Sequence, residues 1–441
     1  MNVTELFYMS GRHAVDLAAA VERAVRDGRA QPGERLPTVR RVAAELGVSP
    51  ATVAAAYREL GRRGLTLGAG RSGTSISPRP PLHAGVTARP RPGLRDLAQG
   101  RPDPQLLPDW SRALSGLPRQ SASYGSPLVE PDLADLARER LRADGLDASH
   151  LTVVSGAVDG IERVLEAHLR PGDGVAVEDP VYPPVLDLLR AMSLRALAVR
   201  VDARGMLAED LDGALHRGAR AVVMTPRSQN PFGGALDDLR RTELRRVLAR
   251  HPDALVVEDD HAEAVGGGTV VGVAIPGAPA WAVVRSVSKT LGPDLRLAVV
   301  CGDERTVARV EGRLAVGPGW VSHLLQRLVI SLWSRPGLEL LLANAADTYR
   351  RRREGLLDAL ERRGVTAHGA TGFNVWVPVE AEAPVLDALA EAGYAALPGE
   401  RFRIATGPAI RITCASLDPA EAEPVADAVA AAGAPGGARL A

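Results

Sequence analysis

Residues 281–302 read WAVVRSVSKTLGPDLRLAVVCG, and this stretch decides the fold of the larger part of the chain. Two apolar runs typical of buried strands enclose the segment Ser286-Val287-Ser288-Lys289-Thr290. Lys289 is the only lysine in the 441 residues, and every other basic residue among the 53 lysines and arginines is an arginine. Arginine stays protonated, whereas lysine can lose its proton and act as an amine nucleophile. We therefore predict a reactive amine at Lys289; the alternative is that one lysine survived by chance.

The neighbours of Lys289 favour a chemical role. Ser286 and Ser288 flank it, and Arg296 follows seven residues later, so two hydroxyl groups and a guanidinium are available to hold a phosphate. This combination suits an aldehyde cofactor that carries a phosphate. We predict pyridoxal 5'-phosphate (PLP), and we expect no metal site.

Apolar strand-like runs alternate with amphipathic helical stretches through most of the chain. The runs lie at 151–156, 174–180, 221–226, 254–260, 281–287 and 295–302. This alternation predicts an α/β fold with a mostly parallel sheet covered by helices. Ligands of such sheets bind at the carboxyl ends of the strands.

Polar groups suited to PLP follow several of these runs. Gly156, Ala157 and Val158 open a helix directly after a strand, so their backbone N–H groups can hold a phosphate. Tyr182 offers an aromatic ring that can stack on the cofactor, and Asn230 offers an amide to a phenolic oxygen. Asp259 offers a carboxylate to the ring nitrogen, and Arg411 offers a guanidinium to a carboxylate. Taken alone, an arginine in the position of Arg411 is more often a surface charge.

Over roughly residues 95–435 this set resembles the fold-type I PLP-dependent aminotransferases, with a large domain and a small C-terminal domain. The resemblance implies that Lys289 forms a Schiff base with the cofactor, that Asp259 pairs with the ring nitrogen, and that Asn230 and Tyr182 contact the ring. It assigns the phosphate to Arg296, Ser286, Ser288 and the backbone of 156–158. It assigns an effector or substrate to Tyr124 and Arg411.

His261 departs from the pattern of this family, which usually has tyrosine two residues after the aspartate. A histidine there can still donate to the ring oxygen, but it can also become charged near neutral pH. The alternative is that His261 packs away from the ring.

The N-terminal residues predict three helices and a β-wing. The first helix spans 13–27; Thr38 caps a short helix at 39–46 that ends at Gly47; and Ser49 caps a third helix. Helix, glycine-containing turn and helix form a helix-turn-helix. The segment LTLGAGRSGTSIS at 65–77 predicts a two-stranded wing.

The stretch GERLPTVRRVAAELGVSPATVAAAYRELGRRGL at 33–65, followed by GRSGT at 70–74, resembles the winged helix-turn-helix of the GntR superfamily. The resemblance implies DNA contacts by Arg35, Arg40, Ser49, Thr52 and Arg71. Pro50 departs from the pattern, because a basic residue usually follows the serine, and this puts operator preference in doubt. The alternative is a degenerate helical domain that no longer binds DNA.

Composition and charge fit this organisation. Residues 1–76 carry 11 arginines against 7 acidic residues, a surplus of four, while the whole chain has a net charge of zero. A basic module on an acidic body is compatible with nucleic-acid binding. Residues 77–98 hold five prolines and predict a linker between a domain at 1–76 and a domain at 99–441. In the second domain we expect a large part at about 125–315 and a small part made of about 99–124 and 316–441. Neither a signal peptide nor a transmembrane run is recognisable, so we expect a cytoplasmic protein.

Together the two modules resemble the MocR subfamily of bacterial GntR-type regulators. The resemblance implies a homodimeric, PLP-dependent transcription regulator that binds operator DNA and senses an amine or amino acid effector. Two other functions stay open: a regulator that senses PLP itself, and a working aminotransferase with an accessory DNA-binding module.

Overall fold

A computed structural model describes residues 6–7, 13–26, 29–31, 33–62, 65–68, 73–76, 93–118, 122–268, 272–274 and 278–433. The chain divides into two compact units, Met1–Gly85 and Val86–Ala441. No helix within these described ranges is long and apolar enough to cross a membrane.

The N-terminal unit contains the expected three helices and wing. The helices are α1 (Ala14–Arg26), α2 (Val39–Leu46) and α3 (Pro50–Arg62), and the wing pairs β1 (Thr66–Gly68) antiparallel with β2 (Thr74–Ile76). Their core forms because each helix buries one apolar stripe. Its fully buried members include Ala18, Val21, Val53, Ala56 and Leu60.

An eight-stranded sheet forms the centre of the larger unit. Its strands are β4 (His150–Val154), β5 (Gly174–Asp179), β6 (Arg195–Asp202), β7 (Gly205–Met206), β8 (Ala219–Met224), β9 (Leu255–Asp260), β10 (Trp281–Ser286) and β11 (Ala298–Gly302). The order is β4-β11-β10-β9-β8-β5-β6-β7, and neighbours are parallel except at β11 and at the β6–β7 edge. The prediction of a mostly parallel sheet is confirmed.

Both faces of the central strands of this sheet are buried, as their uninterrupted apolar runs require. Successive residues of a strand face opposite sides, so Val283 packs in one core while Val284 packs in the other. Gly160 allows a covering helix to lie close, because a Cβ there would be 2.8 Å from Cγ1 of Val284.

Helices cover the sheet and connect it to a smaller subdomain. They are α4 (Ser111–Ser115), α5 (Pro131–Ala143), α6 (Ala157–His168), α7 (Pro183–Ala191), α8 (Ala208–His216), α9 (Asp238–Ala249), α10 (Glu304–Ala315), α11 (His323–Trp333), α12 (Leu338–Glu361), α13 (Glu382–Glu391) and α14 (Ala422–Ala431).

The smaller subdomain contains two short sheets. The strands are β3 (Arg95–Asp96), β12 (Asn374–Pro378), β13 (Tyr394–Ala395), β14 (Leu397–Pro398) and β15 (Ala409–Thr413). Strands β12, β15 and β14 form an antiparallel sheet in that order, and β13 pairs in parallel with β3.

The pairing of β3 corrects one expected boundary. The sequence places residues 77–98 in the linker, but Arg95 and Asp96 pair with β13, and Leu97 and Ala98 are buried. The final residues of that segment are therefore part of the folded body. Residues 77–92 lie outside the described ranges.

Candidate functional site

A cavity of about 260 Å³ lies where several strands of the large sheet end. Strand β9 ends in Asp259 and Asp260, and β10 ends at Ser286. Among the predicted site residues, those lining the cavity are Ala157, Val158, Tyr182, Asn230, Asp259, His261, Ser286, Ser288, Lys289, Arg296 and Arg411. The structure thus brings together side chains that are up to 254 positions apart in the sequence (from 157 to 411).

Lys289 follows β10 and is half-buried at this cavity. Its Nζ donates a hydrogen bond to the carbonyl of Gly100 and lies 5.5 Å from the centroid of the Phe373 ring. Burial and the nearby charges of Arg411 and Arg101 lower the pKa of Lys289 to about 8. A larger fraction of this amine is therefore neutral, and so nucleophilic, at physiological pH than of an exposed lysine.

Asp259 is buried, and its Oδ1 has no hydrogen-bond partner among the described residues. Burial and the neighbouring carboxylates of Asp260 and Glu178 raise its pKa to about 8, against the opposing charge of Lys289. An unpaired buried carboxyl group is costly unless a ligand pairs with it. Asp259 therefore has the properties expected of a group that meets a basic ring nitrogen.

The next residue, Asp260, has the opposite environment because successive residues of a strand point to opposite faces. Arg227 donates to both of its oxygens at 2.8 and 2.9 Å, and Nε of Arg285 donates at 2.9 Å. Burial acts to raise the pKa of Asp260, but these guanidinium contacts outweigh it and lower the pKa to about 2. The sequence analysis assigned no role to Asp260; the structure shows that it anchors the strand end that carries Asp259.

The N-terminus of α6 and Arg296 form a shallow cradle suited to an anion. Gly156 has a φ of 101°, and a Cβ there would be 2.7 Å from Nη2 of Arg296. That Nη2 donates to the carbonyl of Ser155 at 3.2 Å. Arg296 itself has a left-handed φ of 42°, a strained conformation typical of functional sites. The hydroxyl oxygens of Ser286 and Ser288 lie 3.1 Å apart in the same cavity.

Arg411 and Asn230 line the same cavity and contact each other. Nη1 of Arg411 donates to Oδ1 of Asn230 at 3.1 Å, and Nη2 donates to the carbonyl of Ala98. Burial and the charge of Arg401 help to lower the pKa of Arg411 to about 10. Each Nη carries a second N–H, and the side chain lines the cavity, so the group can hold an anionic ligand.

His261 lines the cavity, and its ring contacts a main-chain carbonyl group. Its Nε2 lies 3.1 Å from the carbonyl oxygen of Ser228, and its buried Nδ1 has no partner among the residues described. Burial and the charge of Lys289 lower its pKa to about 4, so the ring is neutral near pH 7. A neutral ring that donates from Nε2 to a carbonyl carries a lone pair on Nδ1.

Tyr124 does not reach this cavity. Its side chain is 93% exposed and packs edge-on against Trp320, with ring centroids 5.7 Å apart. The sequence indicated only that it precedes a helix, which says nothing about where its side chain points. Other cavity residues that the sequence analysis did not single out lie mostly in loops and short elements, which carry no periodic signal. They include Gly100, Arg101, Phe373, Asn374, Arg401 and Phe402.

In the N-terminal unit, the helix-turn-helix is capped as expected. Thr38 accepts a hydrogen bond from the backbone of Arg41 at 3.3 Å, and Gly47 ends α2 with a φ of 64°. Ser49 accepts from the backbone N–H of Thr52 at 3.1 Å at the start of α3. Arg35, Arg40 and Ser49 are exposed and Thr52 is half-exposed, whereas Arg71 lies outside the described residues.

Two family models match the chain. The bacterial regulatory proteins of the gntR family match residues 14–76, and aminotransferase class I and II matches residues 93–429. The vitamin B6 salvage pathway transcriptional repressor PtsJ of Salmonella typhimurium is 39% identical over 415 residues, which cover 94% of this chain and 96% of PtsJ. The chain belongs to the MocR-type regulators.

Two further similarities fit this MocR-type architecture. The pyridoxine biosynthesis transcriptional regulator PdxR of Corynebacterium glutamicum is 28% identical, with 78% of each chain covered. The crystal structure of LysN, an α-aminoadipate aminotransferase from Thermus thermophilus, matches with a TM-score of 0.69 and 22% identity over 80% of this chain and 96% of LysN. At that identity the likeness concerns the fold.

The predictions of fold, family, cofactor and general function are confirmed: this MocR-type chain is a PLP-dependent transcription regulator with a DNA-binding domain. The cavity fits the cofactor, because it combines one lysine, an unpaired buried carboxyl group and an anion cradle. When bound, PLP supplies an aldehyde that condenses with amines and a ring that withdraws electrons.

Proposed function

We propose that this MocR-type regulator controls transcription in response to PLP itself, acting as a cytoplasmic homodimer on operator DNA. The names of PtsJ and PdxR both connect a relative with vitamin B6, and PtsJ is similar over nearly its whole length. By this proposal the genes under control serve vitamin B6 supply.

The unpaired carboxyl group of Asp259 beside Lys289 carries the proposal. A buried carboxyl group without a partner destabilises the fold. A ligand that pairs with it removes this unfavourable contribution, and its affinity increases accordingly. Lys289 is the only lysine and has a lowered pKa, so it captures the aldehyde. The unpaired carboxyl group of Asp259 and the reactive amine of Lys289 together suit PLP as a ligand that is itself the signal.

The remaining site residues orient the cofactor. Tyr182 stacks on the ring and Asn230 contacts its oxygen. The phosphate is held by Arg296, Ser286, Ser288 and the backbone of Gly156, Ala157 and Val158. Capture changes DNA binding only if PLP has different affinities for the DNA-competent and DNA-incompetent states.

In the DNA-binding domain, Arg35 and Arg40 contact phosphates while Ser49 and Thr52 lie at the start of the recognition helix, near base edges. The exposed position of both arginines supports this assignment. Arg71 in the wing is assigned to the same surface by resemblance.

The test starts with DNA sites selected by the full-length protein from a random-sequence library. Their affinity is then measured by fluorescence anisotropy as PLP is added, with pyridoxine 5'-phosphate, which lacks the aldehyde, as the matched control ligand. We expect PLP to change DNA affinity at least fivefold and the control ligand to have little effect, and we expect Lys289→Ala to abolish the PLP response. Equal DNA affinity with and without PLP contradicts the proposal.

A working aminotransferase is the second candidate, because Lys289, Asp259, Asn230, Tyr182 and Arg411 all line one cavity. Incubation with an amino donor and a keto acid tests it. Sustained turnover by the wild type and none by Lys289→Ala would favour this function, and a stoichiometric reaction without turnover would exclude it.

A further inference from the structure

The charges around the cavity are unbalanced. Five cationic side chains line it, from Arg101, Lys289, Arg296, Arg401 and Arg411. Asp259 supplies the only carboxyl group of the described lining, and its raised pKa makes it a poor source of negative charge at neutral pH. The cavity is therefore strongly positive and suited to anions.

PLP accounts for only part of this charge. Under the roles proposed above, its phosphate lies at Arg296 and its aldehyde at Lys289. Arg101, Arg401 and Arg411 have no role in holding it. Three guanidinium groups thus remain available to another ligand.

Arg411 has polar neighbours but no ion-pair partner among the described residues. It donates to Asn230 and to the carbonyl of Ala98, and its Cζ lies 4.9 Å from the centroid of the Phe402 ring. Asp96 is close enough to oppose the lowering of its pKa, but the Asp96 carboxylate accepts from the backbone N–H groups of Ala98 and Gln99. Asp96 is also absent from the cavity lining.

Arg101 and Arg401 are more clearly unpaired. Within the described ranges, neither guanidinium has a hydrogen bond or an ion pair. Arg403, only two residues beyond Arg401, shows the ordinary alternative, because its Nε pairs with Glu382 at 3.3 Å and it does not line the cavity. Arg101 is exposed at the edge of the cavity and Arg401 is half-buried. What distinguishes the two from other unpaired arginines of the chain is that both line a cavity already containing Lys289, Arg296 and Arg411.

We propose that the cavity has a second anion subsite, at Arg101 and Arg401, and that it binds a small dianion in addition to PLP. One carboxylate of this ligand binds Arg411, and its second acidic group, a carboxylate or a phosphate, binds Arg101 and Arg401. Planar guanidinium groups recognise both kinds of acid. Phe373, Leu397 and Phe402 also line the cavity, and they favour a short apolar chain between the two acidic groups. This inference goes beyond the proposed response to PLP.

Isothermal titration calorimetry of the PLP-loaded, full-length protein tests the subsite. The probes are glutarate, pentanoate and 4-phosphonobutyrate, none of which has an amine that could react with the cofactor. We expect glutarate or 4-phosphonobutyrate to bind at least about tenfold more tightly than pentanoate, since a charged hydrogen-bonded contact is worth about that factor. The stronger of the two identifies the second acidic group as carboxylate or phosphate.

Arg101→Gln and Arg401→Gln should each remove most of the preference for the dianion while leaving pentanoate affinity unchanged. Arg403→Gln is the matched control and should keep the preference, and Arg411→Gln should weaken all three probes. Melting temperatures establish that each variant folds. Equal affinity for pentanoate and both dianions, or equal losses in Arg401→Gln and Arg403→Gln, would overturn the subsite.

Comparing this titration with the DNA-affinity measurement under Proposed function separates the two proposals. A preserved dianion preference in a protein whose DNA affinity ignores PLP would contradict only the response to PLP. A PLP-responsive protein without the preference would contradict only the subsite.

Discussion

Two adjacent carboxylates, Asp259 and Asp260, have opposite roles at the end of β9. Two arginines surround Asp260 and keep it charged, whereas the Oδ1 of Asp259 has no partner among the described residues. The pKa values of the pair, about 8 and about 2, reflect this difference. Binding of the cofactor therefore relieves a cost that the cofactor-free fold contains.

Asp259→Asn tests that cost. The folded-state pKa of Asp259, about 8, lies above its unfolded value near 4, so the folded chain holds a proton there that the unfolded chain releases. The cofactor-free wild type should therefore lose stability as pH rises from about 4 to about 8. We expect Asp259→Asn to lose less, as measured by melting temperatures at pH 5 and pH 8, and to bind PLP at least about tenfold more weakly.

Asp253→Asn is the control for this experiment, because Asp253 is exposed and lies outside the cavity. It should match the wild type in both measurements. An identical pH dependence of stability in Asp259→Asn and in the wild type would show that Asp259 carries no such cost.

Lys289 should capture PLP with an unusual pH dependence. Since its pKa is lowered to about 8, the rate of covalent capture by cofactor-free protein should rise to a plateau above that pH. An ordinary lysine would continue to gain reactivity towards pH 10. Arg101→Gln removes a nearby positive charge and should move the midpoint to higher pH, as measured by stopped-flow absorbance; an unmoved midpoint would contradict this electrostatic role.

His261 should influence the bound cofactor through its lone pair. Its lowered pKa and its contact with the Ser228 carbonyl indicate a neutral ring that accepts at Nδ1, whereas tyrosine donates a hydroxyl proton. We expect His261→Tyr to shift the pH midpoint of the absorption spectrum of bound PLP. The DNA affinity of the PLP-free protein should stay nearly unchanged. His150→Tyr, at an exposed position, should change neither the midpoint nor the DNA affinity. A fully loaded His261→Tyr with an unchanged midpoint would make His261 a packing residue.

At the scale of single residues, the sequence predicted the cavity groups that lie at the ends of buried strands or shortly after them. Lys289 and Asp259 belong to this class, because the end of a buried strand fixes both their depth and their edge of the sheet. Arg101 and Arg401 lie in segments whose path depends on tertiary packing, and no pattern marks them. Tyr124 could be placed before a helix, but no local pattern indicated that its side chain would be exposed and outside the cavity.

At the scale of elements, the cap of α2 should stabilise the helix-turn-helix locally. The Thr38 side chain accepts from the Arg41 backbone, and loss of such a cap costs about 1 kcal/mol. We expect Thr38→Ala to speed hydrogen exchange in α2 about fivefold, measured by mass spectrometry on the full-length chain. Thr242→Ala, within α9, should leave α2 exchange unchanged. Unaltered exchange in Thr38→Ala would show that the cap contributes little.

Strands were predictable where they are buried on both faces. The six apolar runs correspond to β4, β5, β8, β9, β10 and β11. Strand β6, in contrast, mixes arginine with alanine and valine and was not singled out, because it lies next to the edge strand β7 and is only partly buried. Strand β3 has two residues and forms only through β13, so local sequence gave no sign of it.

At the scale of the whole molecule, the sequence predicted a basic DNA-binding module joined to an aminotransferase-like body, and both family matches agree with this organisation. Deleting residues 1–76 should abolish DNA binding and leave PLP binding intact. Because phosphate contacts release counterions, the DNA affinity of the intact chain should fall as salt rises. Tight DNA binding by the truncated body would contradict the assignment of the helix-turn-helix.

The central claim is that capture of PLP at Lys289 sets the affinity for DNA. Reduction of the PLP-loaded protein with borohydride, followed by dialysis, tests it most directly, because Lys289 is the only lysine to which the cofactor can be fixed. Intact mass spectrometry should show one pyridoxyl group per chain in the wild type and none at this position in Lys289→Ala. We predict that the reduced wild type keeps the DNA affinity of the PLP-loaded state after free PLP is removed. Covalently fixed cofactor with the DNA affinity of the cofactor-free protein would contradict the account.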